Sequence, residues 1–213
     1  MKKPNTQTII IAVLAIIVLL LAYNKWGSGI VSSISYKFSG QSTKNLLQIG
    51  STTAKIDIIE YYSYTCEYCR AFEIDPKPQI IKNYIATGEA RLVFRPVDPD
   101  LGDAALCANE QGKFLEYHDS LFRNAPNISK EEDLKVLAKN VGMDEEAFWQ
   151  CYSSGKYRTL VEGWYNELSS NFIKYKIPQD QQGTPSFIIG KNMITGVQSY
   201  DVFAEAIDKA LGK

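Results

Sequence analysis

The sequence predicts an α/β fold interrupted by an all-helical insertion and exported behind an N-terminal transmembrane signal anchor. Three observations carry this. Residues Ile9 to Ala22 form an unbroken apolar run of 14. The motif Cys66-Glu67-Tyr68-Cys69 follows a strand-like stretch, Ile56 to Tyr62, and opens a helical pattern. Beyond Val97 the pattern is helical throughout, and strand signals return only after Pro178.

The apolar run is preceded by Lys2 and Lys3 and followed by Tyr23 and Trp26, which suit a membrane interface. A cleaved secretory signal and an uncleaved anchor both fit such a run. Its extension over 19 residues from Thr8 to Trp26, with no small-residue cleavage site directly after it, favours an anchor over residues 1–26. The leading lysines hold the amino end in the cytoplasm, so a single pass through the cell membrane leaves everything after Trp26 on the extracytoplasmic side. From Gly27 to Lys44 nine of 18 residues are Gly or Ser, a linker composition that resists packing, and folding is expected from Asn45. Beyond the anchor the chain carries 20 basic against 24 acidic residues, which excludes a basic nucleic-acid surface. The remaining length suits one domain with an insertion.

Lys55 to Ser63 reads as a buried strand, and Cys66 to Thr87 as a helix bent near Pro76 and Pro78 and stopped by Gly88. Arg91 to Val97 is the next strand, giving a parallel pair joined by a right-handed crossover. Residues 45–97 and 178–213 then form the α/β domain, and 98–177 the helical insertion. Within the insertion, Ser129 with Glu132 reads as a capping box and Gly142 as a helix stop. Tyr157, Leu160, Val161, Trp164, Leu168 and Phe172 form an aromatic-rich stripe read as core. Strands follow at Ser186 to Gly190 and Met193 to Gly196, then a helix from Ser199 to Leu211.

The chemistry lies in the cysteine pair. Two thiols three residues apart at a helix start close a small disulfide ring, and the unpaired first-turn amides stabilise a thiolate on Cys66. Such a thiolate exchanges with the disulfide of another protein. About 115 residues downstream, Gly183-Thr184-Pro185-Ser186-Phe187 sets a proline just before an apolar strand. A cis Thr184–Pro185 bond there places a backbone edge beside the sulfurs for an extended substrate. Alone the proline is a turn residue; with the C-x-x-C it marks a site.

These motifs, with Gly50-Ser51, Ile59 through Cys66, Gln111-Gly112-Lys113-Phe114 and Tyr117-His118-Asp119, resemble the DsbA-like thiol-disulfide oxidoreductases of the thioredoxin superfamily over residues 48–212. The resemblance implies a thioredoxin fold with a helical insertion, Cys66 as nucleophile, Cys69 as resolving thiol and Pro185 in cis. It also implies protein substrates and a membrane quinone-linked oxidase as recycling partner. Thr184, Pro185, Glu67 and Tyr68 are then the substrate-binding positions. Glu60 falls at the family's buried carboxyl, and a carboxyl of raised pKa there shuttles the proton of Cys69; a solvent-facing glutamate is the alternative. The chain departs from the strongly oxidising members between the cysteines, where a proline and a histidine give way to Glu67-Tyr68. A carboxylate beside Cys66 disfavours its thiolate and lowers the potential.

Cys107 and Cys151 are open to three readings, a structural disulfide, two buried thiols or a second redox pair. The first is preferred. A four-cysteine zinc site lacks the paired spacing, so no metal is expected, and no cofactor is needed because the cysteines carry the electrons. His118, the only histidine, reads as a packing residue on a helix. The expected function is a membrane-tethered disulfide donor to exported proteins. A reductase or isomerase, and a peptide-binding chaperone with a static disulfide, are the alternatives.

Overall fold

The computed structural model describes residues 47–213. The expected anchor over 1–26, the linker over 27–44 and the start of the domain at Asn45 lie outside the described residues. Among the described residues no helix is long and apolar enough to cross a membrane.

Five strands form one sheet: β1 (Gln48–Gly50), β2 (Ile56–Tyr62), β3 (Ala90–Pro96), β4 (Ser186–Ile189) and β5 (Asn192–Thr195), in the order β1-β3-β2-β4-β5. Only β2 and β3 are parallel, in register from Ile56 opposite Ala90 to Tyr62 opposite Pro96. Because β2 lies between β3 and β4, its Ile58, Glu60, Tyr61 and Tyr62 are all buried. That is the near-continuous apolar pattern of a two-sided strand, with one acid inside it. The edge strand β1 is an addition to the expected elements, since three residues are too few to display a period.

The helix expected from Cys66 to Thr87 is instead divided. The first segment, α1 (Glu67–Ile74), ends where Asp75 turns extended and Asp75–Pro76 is cis. Proline has no amide hydrogen to continue the ladder and pushes the residue before it out of the helical region. The chain resumes as α2 (Lys77–Ile80) and widens into a single π-helical stretch, Ile81–Ile85.

The insertion holds α3 (Pro99–Glu110), α4 (Phe114–Asn124), α5 (Glu131–Asn140), α6 (Glu145–Ser153) and α7 (Arg158–Lys174), and α8 (Tyr200–Leu211) closes the fold. The capping box of α5 is shifted by one residue from the expected Ser129–Glu132 pair. Lys130 is the N-cap, and the Asp133 carboxylate accepts from the backbone of Lys130 at 3.1 Å and of Ser129 at 2.9 Å. Gly102 lets α3 approach α7, because a Cβ there would stand 2.9 Å from both methyl groups of Val161. Phe72 of α1 packs on Phe187 of β4 and Phe203 of α8, with ring centroids 4.6 and 5.4 Å away. That apolar triad holds the helix carrying the cysteines against the sheet.

A disulfide joins Cys107 of α3 to Cys151 of α6, with 5.8 Å between the Cα atoms and 44 residues of separation. Closing a loop of that length removes chain entropy from the unfolded state worth about 4 kcal/mol. Replacing Cys107 and Cys151 with alanine, in a chain whose Cys66 and Cys69 are also alanine, is expected to lower the unfolding free energy by about that amount in urea. A loss under about 1 kcal/mol would sink the loop-entropy account.

Candidate active site

Cys66 stands at the N-cap of α1, with extended backbone angles (φ -82, ψ 123) and no side-chain cap bond. The first-turn amides of α1 thus receive no side-chain cap from Cys66. The turn closes through Arg70 N–H to the Cys66 carbonyl at 3.1 Å. Cys66 is half-buried and Cys69, one turn on, is fully buried; both are free thiols. The Cys66 thiol donates to the Thr184 carbonyl at 3.3 Å. Thr184–Pro185 is cis, and Pro185 is buried at the entry to β4. The fold thus brings together the two segments that are 118 residues apart in sequence. Between the cysteines, Glu67 is exposed and Tyr68 presents 66% of its surface to solvent.

Burial pushes the Cys69 thiol well above the usual range, opposed in part by hydrogen bonds with the Ser63 backbone and the Thr184 side chain. A thiolate on Cys69 is thus disfavoured, and any step that creates one needs a proton donor at hand.

Glu60 is fully buried at the centre of β2, and neither carboxylate oxygen has a hydrogen-bond partner among the described residues. Burial raises its pKa well above the ordinary value of 4.5, the nearby Glu73 carboxylate adds to the rise, and Lys77 opposes it. The solvent-facing alternative for Glu60 does not hold. Glu73 behaves oppositely: burial would raise it, but the Lys77 ammonium and His118 outweigh burial and hold it down to about 2. Neighbouring carboxyls of opposite behaviour divide into a proton holder and a fixed anion.

The groups around them were missed in the sequence. Lys77, on the turn after cis Pro76, ion-pairs with Glu73 and lies 3.2 Å from His118 Nε2. The same Nε2 lies 3.4 Å from Glu73 Oε1, so this nitrogen stands between an ammonium and a carboxylate. Nδ1 is hydrogen-bonded to the hydroxyls of Tyr64 at 3.0 Å and Tyr62 at 3.2 Å, which bond each other at 3.0 Å. Burial and Lys77 both lower the His118 pKa, in keeping with a neutral ring. His118 packs among Phe94, Phe114 and Phe122, so the packing reading holds in part; its nitrogens also belong to a polar network. Glu73, His118 and Asp119 bring three potential metal-ligand atoms within 4.8 Å, yet Lys77 already bonds both Glu73 and His118 there. The i to i+4 spacing of Glu73 and Lys77 was the available signal.

A family model described as thioredoxin matches residues 42–209. A Rickettsia conorii protein bearing the name of a protein-disulfide oxidoreductase is 26% identical over 176 residues, covering 78% of this chain. The chain spans only 61% of that relative's length. Disulfide bond formation protein D of Bacillus subtilis is 26% identical over 186 residues, covering 81% of both chains. In fold, the chain is similar to oxidised BdbD of Bacillus subtilis, with TM-score 0.64, 23% identity and coverage of 78% of this chain and 92% of that one. It is also similar to α-DsbA1 of Wolbachia pipientis, with TM-score 0.64, 24% identity and coverage of 81% and 93%.

The two carboxyls contribute to stability with opposite sign. Glu60 binds its proton more tightly folded than unfolded, so its contribution is present below pH 4.5 and is lost as pH rises above it. Glu73 is depressed, so its contribution is present above 4.5 and lost as pH falls toward 2. Glu60→Gln removes the first dependence. The variant is expected to gain stability relative to the native chain as pH rises from 4.5 in urea unfolding; a difference that does not change with pH would refute the assignment.

Proposed function

The chain belongs to the thioredoxin family, and on that premise we propose that it is a protein dithiol-disulfide oxidoreductase working through Cys66 and Cys69. One observation carries the reading. A half-buried thiol at a helix start contacts the carbonyl of a cis-proline segment, and a second, fully buried thiol lies one turn behind it.

In the donor direction a substrate thiolate attacks Cys66 Sγ of the Cys66–Cys69 disulfide. A substrate–Cys66 bond forms, the Cys66–Cys69 bond breaks, and Cys69 leaves with the electron pair. Its buried sulfur takes up a proton, and Glu60, whose protonated form burial favours, is the donor. The second substrate thiolate then attacks its partner sulfur and releases Cys66 reduced. Two substrate thiols have become a disulfide, and two electrons rest on the enzyme. During the mixed-disulfide stage the substrate chain lies along Thr184 and Pro185, with Glu67 and exposed Tyr68 beside it.

The tethered, extracytoplasmic setting is part of the proposal. Lys2, Lys3 and the apolar run Ile9 to Ala22 support an anchor. The Cys107–Cys151 disulfide supports an oxidising compartment. A tether suits recycling by a membrane redox partner, for which the family resemblance suggests a quinone-linked oxidase. A second reading, reductase or isomerase, is favoured by the acidic Glu67 directly after Cys66 in the first turn of α1, where strongly oxidising members of the family carry a proline.

Cys66→Ser is expected to reduce oxidation of a reduced model protein to the uncatalysed rate. Cys69→Ser is expected to accumulate a mixed disulfide visible by mass. Oxidation that survives Cys66→Ser would remove the enzyme reading and leave a peptide-binding module. Glutathione equilibration decides direction, with roughly -120 mV marking a donor and roughly -270 mV a reductase.

A further inference from the structure

The loop from Ser63 to Thr65 presents both cysteines, and it is held by a residue outside the C-x-x-C motif. Asp98 follows β3 and occupies the N-cap position of α3, with extended angles (φ -84, ψ 115). Its backbone carbonyl accepts from Gly102 N–H at 2.8 Å, as an N-cap should. Its side chain makes no cap bond to that helix. An N-cap aspartate usually contributes about 1 kcal/mol by accepting from the first turn of its own helix. Here the carboxylate turns across the sheet end instead. Oδ1 accepts from Ser63 Oγ at 2.8 Å and Oδ2 from Tyr64 N–H at 2.6 Å, 35 and 34 residues away. Burial raises the pKa of this half-buried carboxyl, and the bonds from Ser63 and Tyr64 oppose the rise.

Ser63 is the point through which this reaches the sulfurs. Its carbonyl accepts from Cys66 N–H at 3.3 Å, and its backbone hydrogen-bonds to the Cys69 thiol. Its hydroxyl also meets Thr65 Oγ1 at 2.9 Å and accepts from Thr65 N–H at 3.2 Å. Tyr64 is tied at its far end by its hydroxyl, 3.0 Å from His118 Nδ1. Asp98 thus clamps the main chain of a loop whose aromatic end is already fixed.

We propose that Asp98 is a positioning residue for the thiol pair: by holding the Ser63 hydroxyl and the Tyr64 amide it fixes the loop whose Ser63 carbonyl takes the Cys66 amide, and couples the first insertion helix to the redox equilibrium of Cys66–Cys69. This rests on the dithiol reading above. The loop is held by these bonds in the dithiol form, so releasing it costs that form and makes the disulfide harder to reduce.

The test is equilibration of the full chain with glutathione buffers, reading the Cys66–Cys69 thiols by mass. Asp98→Ala is expected to lower the equilibrium constant for reduction about tenfold, a fall of about 30 mV. Asp98→Asn keeps one acceptor but turns an amide donor toward the other partner, so an intermediate shift is expected, and it serves if the alanine variant does not fold. Ser63→Ala added to Asp98→Ala should change the constant no further, since both cut the same link. Constants within about twofold of the native chain for both Asp98 variants would overturn the proposal, as would equal loss of stability in the oxidised and reduced forms. Failure of the native pair to exchange with glutathione at all would instead defeat the dithiol reading.

Discussion

The parallel pairing of β2 with β3 is the constraint on which the rest of the site depends. Parallel strands end at the same edge, and the chain between them must cross over by a helix. The crossover here is α1 with α2, so the helix that carries the cysteines is also the connection the sheet requires. Because Tyr62 and Pro96 are register partners, the loops that follow them emerge side by side. One loop holds Ser63 to Cys66 and the other holds Asp98, which is why residues some 34 positions apart can bond at all. Antiparallel β4 then delivers Thr184 and Pro185 to the same edge from the opposite direction.

Beneath that edge the protein tolerates an expensive arrangement. Buried ions cost several kcal/mol each unless paired and hydrogen-bonded. Lys77 is the economical answer, one cation that bonds Glu73 and His118 while standing near Glu60. With its charge committed to Glu73, too little remains to ionise Glu60, whose oxygens lack partners. The result is a carboxyl that stays protonated where an ordinary one would not. A buried polar group without partners is a poor way to stabilise a fold, and burial of this kind is how a carboxyl is made to keep its proton.

The legible part of the fold followed from period and punctuation. Strands β2 and β3, the stripe of α7 and the returning strands after Pro178 all had runs long enough to show a pattern. The helix read through Thr87 was expected to bend near Pro76 and Pro78, and there it divides instead, because proline pushes Asp75 out of the helical region. The cap of α5 slipped by one residue because Asp133 and Glu132 are both plausible partners in sequence, and only the backbone decides which carboxylate reaches back.

The sequence by itself determined the chemistry available. It supplied two thiols at a helix start, a proline segment to oppose them and an acid embedded in an apolar strand, because covalent spacing and local periodicity suffice to specify these. Tertiary structure alone decided which charged groups surround that acid, and that the Asp98 side chain leaves its own helix for another loop. Those outcomes depend on burial and on contacts between residues distant in the chain, and neither is a property of any local window of sequence.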